Sequence, residues 1–140
     1  MPQVAGRKEK KTMTGFLTNI EKKSLANAYF REVLFTGAHS QLVVMSLKPG
    51  EDIGMETHGG VDQFIRVEAG QGRAILNGAE HKIEDGSAVV IPAGVEHNIV
   101  NSSATEPLKL YSIYSPPEHP HGTVHKDKAE AEEYEKKKHS

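Results

Sequence analysis

The stretch Gly50-Glu51-Asp52-Ile53-Gly54-Met55-Glu56-Thr57-His58 is continued by Asp62-Gln63 and Gly70, and is followed later by Gly86, Pro92, Gly94, His97 and Asn101. Between the two blocks the sequence alternates like a β-hairpin around Asn77-Gly78, a pair in which both residues tolerate positive φ. Glu56 and His58 stand two apart, a spacing that puts both side chains on one face of a strand. Gln63 follows where the chain can turn back, and His97 belongs to a much later strand. A closed antiparallel barrel can bring such positions to one interior point. A carboxylate, two imidazoles and an amide oxygen, with no soft ligand, suit a borderline or hard divalent ion.

Outward from this stretch the strand signals repeat. Residues 29–36 and 41–47 are rich in β-branched, aromatic and aliphatic side chains, with Thr36-Gly37-Ala38 as the turn between them. Further strands are predicted over 62–68, 73–76, 79–83, 87–91, 95–100 and 108–114, separated by glycine, proline and Asn-Gly turns. About nine or ten short strands without an internal helix predict an antiparallel sandwich or barrel. If Gln63 points inward, Ile65 and Val67 do too, and Phe64, Arg66 and Glu68 point outward. Residues 18–27 can form one or two helical turns, capped by Thr18 or Asn19, with Ile20 and Leu25 as apolar contacts. Three prolines keep 116–122 out of any strand, so it should run extended, across the barrel mouth or along the surface. Residues 126–138 read as a solvated terminal helix, with Glu132–Lys136 and Glu133–Lys137 at i,i+4 spacing. The expected organisation is a flexible basic arm over 1–14, a barrel over 15–117, and a Pro/His segment with a polar helix over 118–140.

Composition narrows the function. A chain of 140 residues is one domain with a sizeable core. Its net charge of -2 argues against bulk binding to nucleic acid or anionic membrane. The absence of cysteine excludes disulfides, thiolate metal sites and cysteine catalysis. No apolar run approaches the ~20 residues of a membrane span, and residues 1–14 are polar and basic, so the cytoplasm is the expected compartment.

The two blocks together resemble the motifs of the cupin superfamily, specifically its small single-domain members. The first motif of that family runs from glycine through His-x-His and Glu to glycine, and Gly50, Glu56, His58, Gln63 and Gly70 keep its spacing. The second runs from glycine through Pro-x-Gly and His to Asn, and Gly86, Pro92, Gly94, His97 and Asn101 match it throughout. The resemblance implies an all-β fold, an antiparallel double-stranded β-helix or jelly-roll barrel, here with a short N-terminal helix and a C-terminal helical tail. The family's metal site usually carries three histidines and one glutamate. Here Glu56 replaces a histidine and Gln63 replaces the glutamate, so one carboxylate is lost and another gained. The implied ligands are Glu56, His58, Gln63 and His97, holding a divalent ion such as zinc, manganese, iron or nickel. The competing reading is a metal-free, hydrogen-bonded polar interior. Asp62 could replace Gln63 under a shorter gap, but strand alternation points it outward.

The first motif further resembles cupins described as mannose-6-phosphate isomerase-like. This implies a metal-dependent, isomerase-type reaction on a small oxygenated substrate such as a sugar or sugar phosphate. A dioxygenase or lyase, and a non-catalytic ligand-binding module, are the alternatives. Glu56, Tyr114 and Gln41 are the catalytic candidates: Glu56 as base if it does not ligate, Tyr114 as a hydroxyl donor, and Gln41 as a substrate contact or a support for the ligands. His39 continues the face of Gln41 or caps a turn. His119, His121 and His125 offer a possible second metal site. The expected partners are a small-molecule substrate and a second copy of the chain, a homodimer with Phe30, Leu34 and Phe64 as contacts.

Overall fold

A computed structural model describes residues 14–138. All but the last residue of the basic arm expected over 1–14 therefore lies outside the described residues. Helix α1 (Ile20–Ala26) begins where Asn19 accepts the Lys22 amide at 3.0 Å, the capping role foreseen for that position. Ser24, and not Leu25, is its buried residue. Leu25 is 44% exposed, because Ile20 and Ser24 stand one above the other on the inner side and Leu25 is the next position round.

Nine strands follow: β1 (Arg31–Thr36), β2 (Gln41–Leu47), β3 (Asp62–Ala69), β4 (Gln71–Leu76), β5 (Ala79–Glu84), β6 (Ala88–Ile91), β7 (His97–Asn101), β8 (Leu108–Ser115) and β9 (Val124–His125). Helix α2 (Lys128–Lys138) ends the described chain. All pairings are antiparallel, in a six-stranded sheet ordered β6-β3-β8-β2-β1-β9 and a three-stranded sheet ordered β5-β4-β7. The β4–β5 hairpin closes through Asn77 and Gly78, both at positive φ. None of the described helices is long and apolar enough to cross a membrane.

The register grades the interior from apolar to polar. Leu47 pairs with Leu108, Met45 with Leu110 and Val43 with Ser112, and the row ends at Gln41 opposite Tyr114. On the other side of β8, Val67 pairs with Leu110, Ile65 with Ser112 and Gln63 with Tyr114. One end of the barrel is thus filled by Met45, Leu47, Val67, Leu108 and Leu110, joined by Ala74, Ile83 and Ile99 from the smaller sheet. The other end gathers buried Gln41, Gln63, Tyr114 and His97. Burying so many polar groups in one layer requires partners for each of them.

Two outward assignments are corrected. Glu68 is buried, because a bulge between Val67 and Ala69 interrupts the alternation of β3. Phe30, expected at a dimer contact, belongs to the core at 3% exposure. Asn101, the last residue of the second motif, fastens the apolar end. Its amide donates to the carbonyls of Leu47, Lys48 and Glu106, and its Oδ1 accepts the Ser103 amide.

Candidate functional site

Residues 51–58 do not form a continuous strand. They lie against β7 through isolated bridges, Asp52 with Val100 and Glu56 with His97. Glu56 and His97 exchange both backbone hydrogen bonds, at 2.8 and 2.9 Å, and the Gly94 amide donates to the His58 carbonyl at 2.9 Å. The bridges place the first motif's side chains beside the second motif's histidine. The result is one group, Glu56, His58 and His97, whose candidate ligand atoms lie within 4.8 Å of one another and could hold a metal ion. Glu56 Oε1 is 3.4 Å from His58 Nε2 and 3.9 Å from His97 Nε2.

Both rings are set in the orientation that a metal requires. His97 Nδ1 donates to the Val95 carbonyl at 2.9 Å, leaving the Nε2 lone pair toward Glu56. His58 Nδ1 lies 3.3 Å from Glu118 Oε2, a carboxylate outside the two motifs. A carboxylate behind an imidazole fixes its orientation and raises its basicity as a ligand. Gln63 points its amide nitrogen at Ser112 Oγ (3.3 Å) and the Tyr114 hydroxyl (3.2 Å), which leaves Oε1 as its free atom. The buried atoms left without a hydrogen-bond partner include three that face this group: His58 Nε2, His97 Nε2 and Gln63 Oε1. Buried polar atoms are seldom orphaned, and each of the three can offer an electron pair once His58 has given up its proton. This donor set fits a divalent ion.

In the metal-free protein the Glu56–His58 pair holds a proton that a bound metal would displace. Hydrogen bonds donated to Glu118 and then Glu56 raise the His58 pKa to about 9, against the effect of burial. Burial pushes the Glu56 carboxyl up, but His58, Arg31 and His97 outweigh it and hold the group below its ordinary value. The proton of this pair therefore sits on His58, and Glu56 is ionised. Burial pushes the Tyr114 hydroxyl well above its usual range, so it stays protonated.

The remaining candidates are placed as follows. Tyr114 is buried, with its ring edge-on to His58 and His119 at centroid distances of 6.0 and 5.1 Å. Gln41 is not free to meet a substrate. Its amide nitrogen donates to Thr36 Oγ1 and the His119 carbonyl, and its oxygen accepts the Glu118 and His119 amides. It pins the segment that carries Glu118. Asp62 is exposed and accepts the Ala93 amide, outside the cluster, and His39 is exposed. The three late histidines do not converge: His119 packs on Tyr114, His121 bonds Thr36 Oγ1 and His125 bonds Arg31.

Sequence reasoning missed Glu118 and Arg31. No motif marks either residue. The alternation of Arg31 with Val33 was the available signal that an arginine turns inward. Arg31 and Glu56 share the lining of a cavity of about 400 Å³, whose far side is helix α2. Lys128 of that helix is ion-paired to Asp52, and Ala131 is its buried residue.

Comparison with known proteins agrees with this architecture. The Cupin domain family matches residues 43–114, and the chain belongs to that family. It is 50% identical to the uncharacterized protein YrkC of Bacillus subtilis (strain 168), over 83% of this chain and 65% of that protein, so it spans about two thirds of that relative's length. It is 46% identical to the uncharacterized protein L612 of Acanthamoeba polyphaga mimivirus, over 78% of this chain and 70% of that one. The crystal structure of BH2720 from Bacillus halodurans superposes with a TM-score of 0.82 at 47% identity, covering 84% of this chain and 93% of that chain.

Proposed function

We propose that this cupin is a metal-dependent enzyme that moves a proton within a small oxygenated substrate, an isomerase-type reaction on a sugar-like molecule. The observation that carries the reading is the set of partnerless donor atoms, His58 Nε2, His97 Nε2 and Gln63 Oε1, around an ionised Glu56 that also lines a cavity. His58, His97, Glu56 and Gln63 would hold the ion. When bound, a divalent metal supplies Lewis acidity to adjacent substrate oxygens.

The chain's own residues perform the other tasks. Glu118 and the Val95 carbonyl keep the two imidazoles turned with Nε2 inward. Tyr114 and Ser112 orient the Gln63 amide. Glu56 turns Oε1 toward both histidines, so Oε2 is the oxygen left for a substrate proton. The sequence offers ligand and base as alternatives for Glu56; here Oε1 would face the ion while Oε2 is kept for the proton. With its pKa held down, Glu56 is ionised near neutral pH and so has the free electron pairs that a base needs.

The test is exchange of solvent deuterium into the carbon next to a carbonyl, across a panel of aldoses, ketoses and their acids. Exchange by the metal-loaded protein, lost in Glu56→Gln with the metal retained, is the expected result. Oxygen uptake without exchange would replace this reading with a dioxygenase, and ligand binding without turnover would replace it with a binding module.

A further inference from the structure

Arg31 opens β1 on its inward side and is only 5% exposed. Its Nη1 donates to His125 Nδ1 at 3.1 Å, across the β1–β9 pairing. That imidazole is held below its usual pKa by burial and then by Arg31 itself, so it supplies no counter-charge. Arg31 Nε has no hydrogen-bond partner. None of the ion pairs of the described residues involves Arg31, and its guanidinium carbon lies 5.3 Å from the centroid of the Phe30 ring. A buried cation in this condition is costly, because it has left water without gaining an anion.

We propose that Arg31 anchors a carboxylate group of the substrate, so that the site takes a small carboxylate-bearing molecule reaching from Arg31 to the Glu56–His58–His97 cluster. The inference rests on the reading of that cluster as a metal site and adds the substrate's chemical class. With Nη1 committed to His125, the free edge of the guanidinium is Nε with Nη2. Its two parallel N–H bonds match the two oxygens of a carboxylate. Arg31 and Glu56 border the same cavity, and its volume of about 400 Å³ suits a small molecule. Glu56 is the one acid among the cluster's candidate ligands, and a divalent ion there would more than offset its charge. Of the cavity's other charged walls, all on α2, Lys128 is paired with Asp52, and Glu132, Glu135 and Lys136 are exposed and screened by water, whereas Arg31 is not.

The experiment titrates glycolate and its uncharged amide, glycolamide, into the full chain in metal-free and zinc-loaded forms. The readouts are calorimetry and the side-chain Nε–H resonance of Arg31. Glycolate should shift that resonance in both forms and glycolamide should not. Arg31→Lys keeps the charge but loses the paired N–H edge, and should weaken glycolate by about tenfold or more while still taking up zinc. The wild-type resonance gives the answer even if the variant does not fold. A chain that refuses zinc while glycolate still moves Arg31 keeps the anchor and removes the metal reading. A chain that takes zinc, with an unmoved Arg31 resonance and equal glycolate affinity in wild type and Arg31→Lys, overturns the anchor. Inorganic phosphate moving the resonance where glycolate does not overturns the carboxylate assignment.

Discussion

At the scale of single residues, the site depends on side chains held by others. Glu118 sits 3.3 Å behind His58, where it would orient that imidazole as a metal ligand. Removing such a support usually lowers metal affinity by ~10- to 100-fold. Glu118→Gln should therefore lower zinc affinity within that range in a competition titration against a chelating dye, and an unchanged affinity would remove Glu118 from the account. The same contacts set a pH dependence for the metal-free protein. His58 is raised from 6.5 to about 9 by Glu118 and Glu56, so its contribution to stability is complete below pH 6.5 and is lost as the pH climbs toward 9. Melting temperatures of metal-free protein should fall across that window, and Glu118→Gln should flatten the fall; a flat wild-type profile would contradict the assignment. The motif residues were legible in the sequence because their spacing is regular. Glu118 and Arg31 were not, because each acts through a long-range pairing, Glu118 with His58 and Arg31 with His125 across β1–β9.

At the scale of elements, turns and close approaches fix where the ligands fall. Gly70 closes the first motif with φ of 100°, and a Cβ there would stand 2.5 Å from the Pro107 carbonyl oxygen. Gly70→Ala thus meets both a strained backbone and a collision with main chain. It should cost about 1–3 kcal/mol or more, a loss readable as a lower urea midpoint; an unchanged midpoint would mean that the β3–β4 connection is not constrained as described. The strands were readable from their turn residues, and β2 matches its predicted bounds of 41–47. The spacing of Glu56 and His58 places them on one face of a strand, whereas residues 51–58 meet β7 only through separate bridges. Alternation cannot foresee this, since bridges between distant segments leave no local periodicity. The bulge that buries Glu68 was hidden for the same reason.

At the scale of the whole molecule, the barrel has an apolar end and a polar end, and the outer face of the large sheet keeps apolar side chains in contact with water. Val90 is 66% exposed opposite Phe64, whose ring lies 6.2 Å from that of Tyr111. We propose that this face pairs two copies of the chain, with Phe64 and Val90 in place of the now buried Phe30. Light scattering at micromolar concentration should give the mass of a dimer, and Val90→Glu should shift it toward the monomer; a wild-type monomer would refute the pairing. The central claim is that the barrel keeps a divalent metal although a histidine has become Glu56 and a glutamate has become Gln63. Its most direct test is metal content, by plasma mass spectrometry, of tag-free protein after metal supplementation, for wild type and for Glu56→Ala and His58→Ala. The wild type should carry a stoichiometric divalent ion, and both variants should lose it. Substoichiometric metal that neither substitution changes would contradict the claim.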